Sequence, residues 1–394
     1  MIFVPTLIIK SIGEKSLRHH GICNSAFIAF LPDIYISRNY IHEPVLFFLY
    51  WLPTIIALIA VIALHHGGSR KMLKTLFTIV LVLGLPKLVF AAVSFLGWPL
   101  GMAYPPLTNI FNIIGFVVLG ITGLCMLYGI TLGWQWFRTD RRTFTFKNLP
   151  NAFHNFKIVQ ISDLHLGTFG KRRGFCRRLV RAVNKENPDV IFFTGDLVNS
   201  RADEVKPFLG ILPKFKAKYG VFSILGNHDY CIYGDFNDDD ELKGNILDII
   251  QMEKDFGWDI MINENRKIEK DGQAIYVIGV ENNGKPPFPQ RANLPKAMEG
   301  VPSDAFKILL SHDPTHWRQQ VLRKTDIPLT LSGHTHGMQF SIFGFNPSVL
   351  VYRDWGGTYH ENNQTLFVSI GVGGNMAFRF GAWAEFNVLT IQCG

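Results

Sequence analysis

The sequence predicts an α/β domain of about 240 residues preceded by an α-helical membrane region. Three observations predict it. The first third carries apolar runs long enough to cross a bilayer, which takes roughly 20 residues. From Lys157 onward, short apolar runs alternate with amphipathic helical stretches, the pattern of an α/β sheet. Five of those runs end in polar blocks: Asp163-Leu164-His165, Gly195-Asp196, Gly226-Asn227-His228-Asp229, Ser311-His312-Asp313 and Gly333-His334-Thr335-His336-Gly337. The carboxyl edge of strands is where open α/β sheets place their chemistry.

A chain of 394 residues has room for more than one structural unit. Its hydrophobic content of 48% against 18% charged residues is apolar for a soluble protein, and the excess lies in the first third. A net charge of +8 suits nucleic acid, a membrane surface or anionic substrates. No Lys/Arg-rich arm with interleaved aromatics is present, so membrane lipid is the expected partner and nucleic acid is not. The five cysteines, Cys23, Cys125, Cys176, Cys231 and Cys393, form no CxxC pair. That argues against a disulfide framework and a thiolate zinc site, and fits a reducing compartment.

Val45–Leu64 and Ile110–Leu132 carry no charged side chain and read as spans. Between them, Leu76–Leu96 is interrupted only by Lys87, directly after Pro86. Lys87 reads as snorkelling, or as part of a kinked helix packed inside the bundle. Ile22–Ile36 is shorter, contains Asp33, and is a candidate fourth span within an N-terminal segment, 1–40. Met1–Ile9 is apolar but lacks a signal-peptide cleavage site. Arg70, Lys71 and Lys74 follow the first strong span, and Arg138, Arg141, Arg142 and Lys147 follow the last. Gly97–Asn109 has no Lys or Arg, so the charged loops belong on the cytoplasmic side, with the rest of the chain. If Ile22–Ile36 crosses, Lys10, Lys15 and Arg18 place the N-terminus inside as well.

The membrane region thus runs over 41–133 and hands over to a basic, aromatic juxtamembrane linker at 134–156. In the domain that follows, 157–394, eight runs read as strands: Lys157–Ser162, Val190–Thr194, Val221–Leu225, Ala274–Val280, Phe306–Leu310, Leu329–Leu331, Leu366–Ile370 and Glu385–Ile391. Phe175–Glu186, Gly244–Phe256 and Thr315–Leu322 read as helices. The closer spacing of the later strands suggests a second sheet.

In an extended chain residues i and i+2 point the same way, so Asp163 with His165, and His334 with His336, would each face one point. Asp196, Asn227 and His312 add a carboxylate, an amide oxygen and an imidazole at other strand ends. Five of the thirteen histidines stand at such ends beside Asp or Asn, too many for independent packing residues. Carboxylate, imidazole and amide ligands without thiolate suit two divalent ions: Mn first, then Fe, Zn or Mg. Two such ions about 3.5–4 Å apart can share a carboxylate and a hydroxide that attacks phosphorus.

In this order the five blocks resemble the calcineurin-like metallophosphoesterases, from Lys157 to the C-terminus. Ile161–Gly167 and Leu331–Gln339 are similar to the bacterial membrane-anchored branch of YaeI/YkuE type. The resemblance implies a four-layer αββα sandwich. It implies that Asp163, His165 and His336 bind one metal, that Asn227, His312 and His334 bind the other, and that Asp196 bridges them. His228 would contact the phosphate and assist the leaving group, oriented by Asp229. It further implies a phosphodiesterase or pyrophosphatase at the bacterial cytoplasmic (inner) membrane. Lipid-linked phosphoester substrates are then expected, such as a UDP-diacylglucosamine pyrophosphate. One departure is visible: the family's Gly-Asp-x-x-Asp reads Gly195-Asp196-Leu197-Val198-Asn199, with an amide at the last position.

Other signals fall away. Gly279-x4-Gly284-Lys285 nearly forms a nucleotide loop, but Pro286 offers neither N–H nor hydroxyl. The Glu281–Gly284 stretch then reads as a rim loop of the metal site. Asp235–Glu241 lacks the turn Gly and final Glu of a calcium loop and reads as a solvated loop or lid. His316 is expected to be exposed. The absence of Gly-x-Ser-x-Gly excludes the usual serine-hydrolase elbow. Lys171, Arg172, Arg173, Arg177, Arg178 and Arg181 crowd one helix, either simply solvated or set against anionic lipid. The alternative function is a transporter or sensor with a regulatory metal domain, supported by Lys87 alone. No oligomeric state follows from the sequence.

Overall fold

The computed structural model describes residues 31–65, 76, 78–286 and 288–394. The chain divides into two compact units, Met1–Ile130 and Thr131–Gly394.

In the first unit, residues 31–40 are helical. Three further stretches, Pro44–Ala63, Val80–Ala103 and Pro106–Gly133, are long and apolar enough to cross a membrane. Val45, Phe48, Ile59, Phe95 and Leu124 turn outward, as lipid-facing side chains do. Residues 22–30 of the candidate fourth span, and the basic residues Lys10, Lys15, Arg18, Arg70, Lys71 and Lys74, lie outside the described residues.

Lys87 does not snorkel. Pro86 stands at the start of the helix Leu85–Ala103, after a π turn at Val80–Gly84, and Lys87 Nζ donates to Asp33 Oδ1 at 2.6 Å. Tyr50 and Thr54 also donate to the Asp33 carboxylate, at 2.5 and 2.8 Å. Charge on this helix is tolerated because a buried partner answers it. Lys87→Met is expected to destabilise the full chain by about 3 kcal/mol or more, since it strands a buried carboxylate. Thermal unfolding in detergent checks this: adding Asp33→Leu should recover most of the loss, and an unchanged midpoint for Lys87→Met would refute it.

The second unit holds two six-stranded sheets. Its strands are β1 (Phe137–Phe146), β2 (Phe156–Ile161), β3 (Val190–Phe193), β4 (Val221–Ser223), β5 (Asp259–Ile260), β6 (Glu264–Lys270), β7 (Gln273–Gly279), β8 (Phe306–Leu310), β9 (Leu329–Ser332), β10 (Gly357–Glu361), β11 (Gln364–Val368) and β12 (Ala384–Cys393). One sheet has the order β1-β12-β2-β3-β4-β5 and the other β10-β11-β9-β8-β7-β6. Within each, the central strands run parallel: β2 to β5 in the first, β7 to β9 with β11 in the second.

Central strands are buried on both faces, which is why they read as unbroken apolar runs. Ile158, Val190 and Phe192 point inward to meet Ile275, Ile308, Leu329 and Phe367 of the opposite sheet. Their neighbours Val159, Ile191 and Phe193 point outward, beneath the helices Gly174–Lys185 and Asp239–Asp255. On the other side Ile278, Leu309 and Leu366 pack under Leu294, Trp317 and Val321. The result is a four-layer αββα sandwich.

Residues 134–156 are not a linker. Phe137–Phe146 is an edge strand, parallel to β12, with Phe144 and Phe146 in the core between the sheets. Its arginines are exposed and paired: Arg138 with Glu385 at 2.8 Å and Arg142 with Asp140 at 3.0 Å. The expected helix at 315–322 is present over residues 315–321, wound as a π-helix at Trp317–Val321.

Candidate metal centre

Every candidate ligand follows a strand. Asp163 and His165 follow β2, Asp196 follows β3, Asn227 follows β4, His312 follows β8, and His334 and His336 follow β9. β2, β3 and β4 belong to one sheet and β8 and β9 to the other, so the carboxyl edges of both sheets supply the cluster.

The local geometry differs from an extended i, i+2 pairing. Asp163 (φ 58°), His165 (48°), Asp196 (60°), His334 (76°) and His336 (52°) all occupy the left-handed region. Side chains other than Gly, Asn and Asp rarely sit there, and such strain gathers at functional sites. The backbone curls at these five of the seven ligands to bring them together.

Asp163, His165, Asp196 and His336 each offer a ligand atom within 4.8 Å of the others, and so do Asp196, His312 and His334. Asp196 is common to both sets. Its Oδ2 lies 3.5 Å from His165 Nε2 and 3.2 Å from His312 Nε2. His165 Nε2 and His336 Nε2 are 3.1 Å apart, and His336 Nε2 is 3.6 Å from Asp163 Oδ1. Asn227 Oδ1 completes the second set, 2.7 Å from His334 Nδ1 and 3.1 Å from His312 Nε2. All seven side chains are buried.

These residues fit divalent metal. Asp196 Oδ2 is buried and turned to the imidazoles of His165 and His312. Such an atom is costly unless a cation answers it. Two glycines keep the space open: a Cβ on Gly226 would stand 2.2 Å from Asp196 Oδ1, and one on Gly333 would stand 2.4 Å from Asp163 Oδ2.

Burial raises the Asp196 carboxyl, but His312, His228 and His165 together outweigh it and hold the group well below its usual range. Burial also keeps His336 and His334 below the ordinary imidazole value, hence neutral, as metal ligands must be. His312 goes the other way. Burial lowers it, yet Asp196 and Asp163 push it up to about 10. That raised value favours the metal-free fold below the ordinary imidazole pKa, and the benefit fades as pH climbs toward 10. Metal must displace this proton. Loading at pH 8 is therefore expected to release a proton and to weaken as pH falls; titration calorimetry in buffers of different ionisation enthalpy measures it, and buffer-independent heats would count against it.

Outer contacts set the imidazoles. His312 Nδ1 donates to the Thr194 carbonyl and His228 Nδ1 to the Asn199 carbonyl, both at 2.7 Å. His334 turns Nδ1 to Asn227, and its Nε2 shares a 2.8 Å hydrogen bond with Tyr352. Tyr352 stands in a loop without a motif, and nothing in the sequence marks it.

Asp229 does not orient His228. Its carboxylate accepts from four backbone N–H groups, Asp196, Leu197 and Gly226 at 2.8 Å and Val198 at 3.2 Å. It locks the two ligand turns together. Burial, then the charge of Asp196, pushes its carboxyl up to about 7 against the pull of the Gly226 and Val198 N–H groups. The side-chain amide at position 199 donates from Nδ2 to Thr168 Oγ1 at 3.1 Å, while the backbone oxygen of Asn199 holds His228 and the backbone N–H donates to Glu204 at 2.6 Å.

His316 is buried, not exposed, with Nδ1 2.8 Å from Ser311 Oγ, and burial lowers it to about 4. Beyond the expected rim stretch Glu281–Gly284, Phe288 meets His334 edge-on at 4.8 Å. A cavity of about 1130 Å³ between Arg142–Asn148 and Thr358–Thr365 contains none of the cluster residues.

Comparison with known proteins adds the following. Residues 156–338 match the family described as calcineurin-like phosphoesterase. The chain is 29% identical over 251 residues to a transmembrane protein with metallophosphoesterase domain from Bos taurus, covering 62% of this chain and 54% of that one. It is 30% identical over 250 residues to an uncharacterized metallophosphoesterase of Campylobacter jejuni, covering 62% and 61%. With the uncharacterized metallophosphoesterase YkuE of Bacillus subtilis it shares 28% over 268 residues, covering 64% and 85%. The chain thus spans less than two thirds of the first two relatives. Its strand-end ligands, shared carboxylate and paired sheets agree with that match: residues 156–338, within the second unit, match a calcineurin-like phosphoesterase domain.

Proposed function

We propose that the protein is a membrane-embedded, dinuclear metal-dependent phosphohydrolase that cleaves a phosphodiester or pyrophosphate bond in a lipid-linked substrate. The carrying observation is the pair of ligand sets that share Asp196. Divalent ions held there, Mn foremost, supply Lewis acidity and a nucleophilic water at neutral pH. Asp163, His165 and His336 would hold one, Asn227, His312 and His334 the other, with Asp196 common to both sets. With Nδ1 fixed on the Asn199 carbonyl, His228 presents Nε2 as the atom that exchanges a proton with the leaving oxygen. The three apolar helices favour an amphiphilic substrate, and Arg138, Arg141, Arg142 and Lys147 after the last span favour the cytoplasmic face of a bacterial inner membrane.

The transporter or sensor reading rests on Lys87, whose charge Asp33 already answers. Full-length protein in detergent tests the enzyme reading by metal removal. Turnover of a soluble aryl phosphodiester should vanish after chelation and return with Mn; turnover indifferent to chelation would overturn it. A soluble version should begin near Thr131, because cutting at 150 deletes β1 from its sheet.

A further inference from the structure

Among the described residues beyond 133, ten large hydrophobic side chains are exposed, and seven of them lie between Met338 and Val351. Phe343 is fully exposed, at 102%, and Phe345, Val349 and Leu350 are more than half exposed. A water-facing concentration of this kind is uncommon on a soluble surface and marks a site of contact. It is also firmly held. Ser341 N–H donates to the Phe380 carbonyl at 2.7 Å, Asn346 Nδ2 donates to the Gly337 and Phe340 carbonyls at 2.8 and 3.0 Å, and Phe340 stacks on Phe380.

The patch continues toward the point where the chain leaves its last apolar span. Phe380 meets Trp383 at 5.9 Å, and Trp383 packs on Trp136 at 4.9 Å. Trp136 comes three residues after Gly133, where that span ends. Three residues reach at most about 11 Å, so Trp136 is tethered at the membrane surface by chain length alone. Tryptophan favours that level of a bilayer. Cationic groups gather at the same place: Arg172 lies over Trp134 at 5.5 Å, and Arg178 donates to the Gln135 carbonyl at 2.6 Å. These are the basic residues that suit anionic head groups.

We propose that residues 338–351, with Trp136 and Trp383, form a lipid-inserting patch that seats the phosphoesterase unit on the bilayer holding the chain's own helices. The occupant is the lipid surface, because the same face carries apolar tips, tryptophans and arginines beside a membrane tether. The patch leads straight into Tyr352, the hydrogen-bond partner of His334. Seating it would hold the rim of the metal centre at head-group level; that consequence rests on the function proposed above, whereas the docking itself does not.

The test uses the full chain in vesicles of phosphatidylethanolamine and phosphatidylglycerol. Phe343, Leu350 and, as control, Leu247 (64% exposed, on the helix Asp239–Asp255) are replaced one at a time by the photoreactive benzoylphenylalanine. Because all three side chains face solvent, the replacements leave the core intact. Irradiation should yield lipid adducts at 343 and 350 about tenfold above those at 247. Adduct levels equal to the control, or crosslinks to a second copy of the chain instead of lipid, would overturn the proposal. The readout needs no activity, so a failed enzyme assignment leaves it standing.

Discussion

Replacing Asp196 with alanine is expected to lower Mn-stimulated hydrolysis of a generic aryl phosphodiester by about a thousandfold or more. No other side chain belongs to both ligand sets. Its loss should also reduce bound metal, because each set then keeps only its own ligands. A second effect adds to the first: Asp196 Oδ1 accepts the His228 backbone N–H at 2.8 Å, so the alanine variant also frees the turn that carries the proton-transfer group. Asp196→Asn separates the two, since it keeps an oxygen for that N–H but loses the bridging charge. Metal content measured beside turnover decides the matter. Undiminished activity in the alanine variant would defeat the assignment.

The second large effect belongs to Asp229→Asn. An amide offers one oxygen where the carboxylate offers two. Each carboxylate oxygen receives two backbone N–H groups. Whichever way the amide turns, two donors lose their acceptor and face an NH2 group, at a cost of about 3 kcal/mol. For a unit of this size that is a fall in Tm of roughly 6–12 °C. Metal affinity should fall with it, because the Asp196 and Gly226 turns are what the carboxylate ties together. A residue that only oriented His228 would behave differently, altering the pH–rate profile while leaving Tm and metal content alone. Calorimetry with metal analysis distinguishes the two.

The ligand set was legible in the sequence because metal chemistry restricts residue type and strand ends restrict position. The way the ligands converge was not. Left-handed backbone at Asp163, His165, Asp196, His334 and His336 is imposed by the packing of two sheets, and only nearby glycines hint at it. The resemblance implies that Asp229 orients His228, whereas its carboxylate accepts from four backbone N–H groups, which no residue type announces. The strands show a similar divide. β1, β5, β6 and β10 escaped sequence reading, and these are the four edges of the two sheets. Edge strands keep one side in water and carry charge that discourages further pairing, as Arg138, Arg141 and Arg142 do in β1. Charge there hides the strand. Tyr352 and the carbonyls of Thr194 and Asn199 left no trace at all, since a backbone oxygen has no residue identity.

The insertion of β12 between β1 and β2 bears on how the protein is made. Arg138 and Glu385, paired across that seam, are separated by 247 positions. On the ribosome the apolar helices and both flanking strands emerge long before the strand that must join them. The nascent unit therefore waits beside the bilayer with an open seam and the exposed face of Phe144 and Phe146. Sequence-distant closure of this kind is slow, so the seam between β1 and β2 stays open until β12 is made.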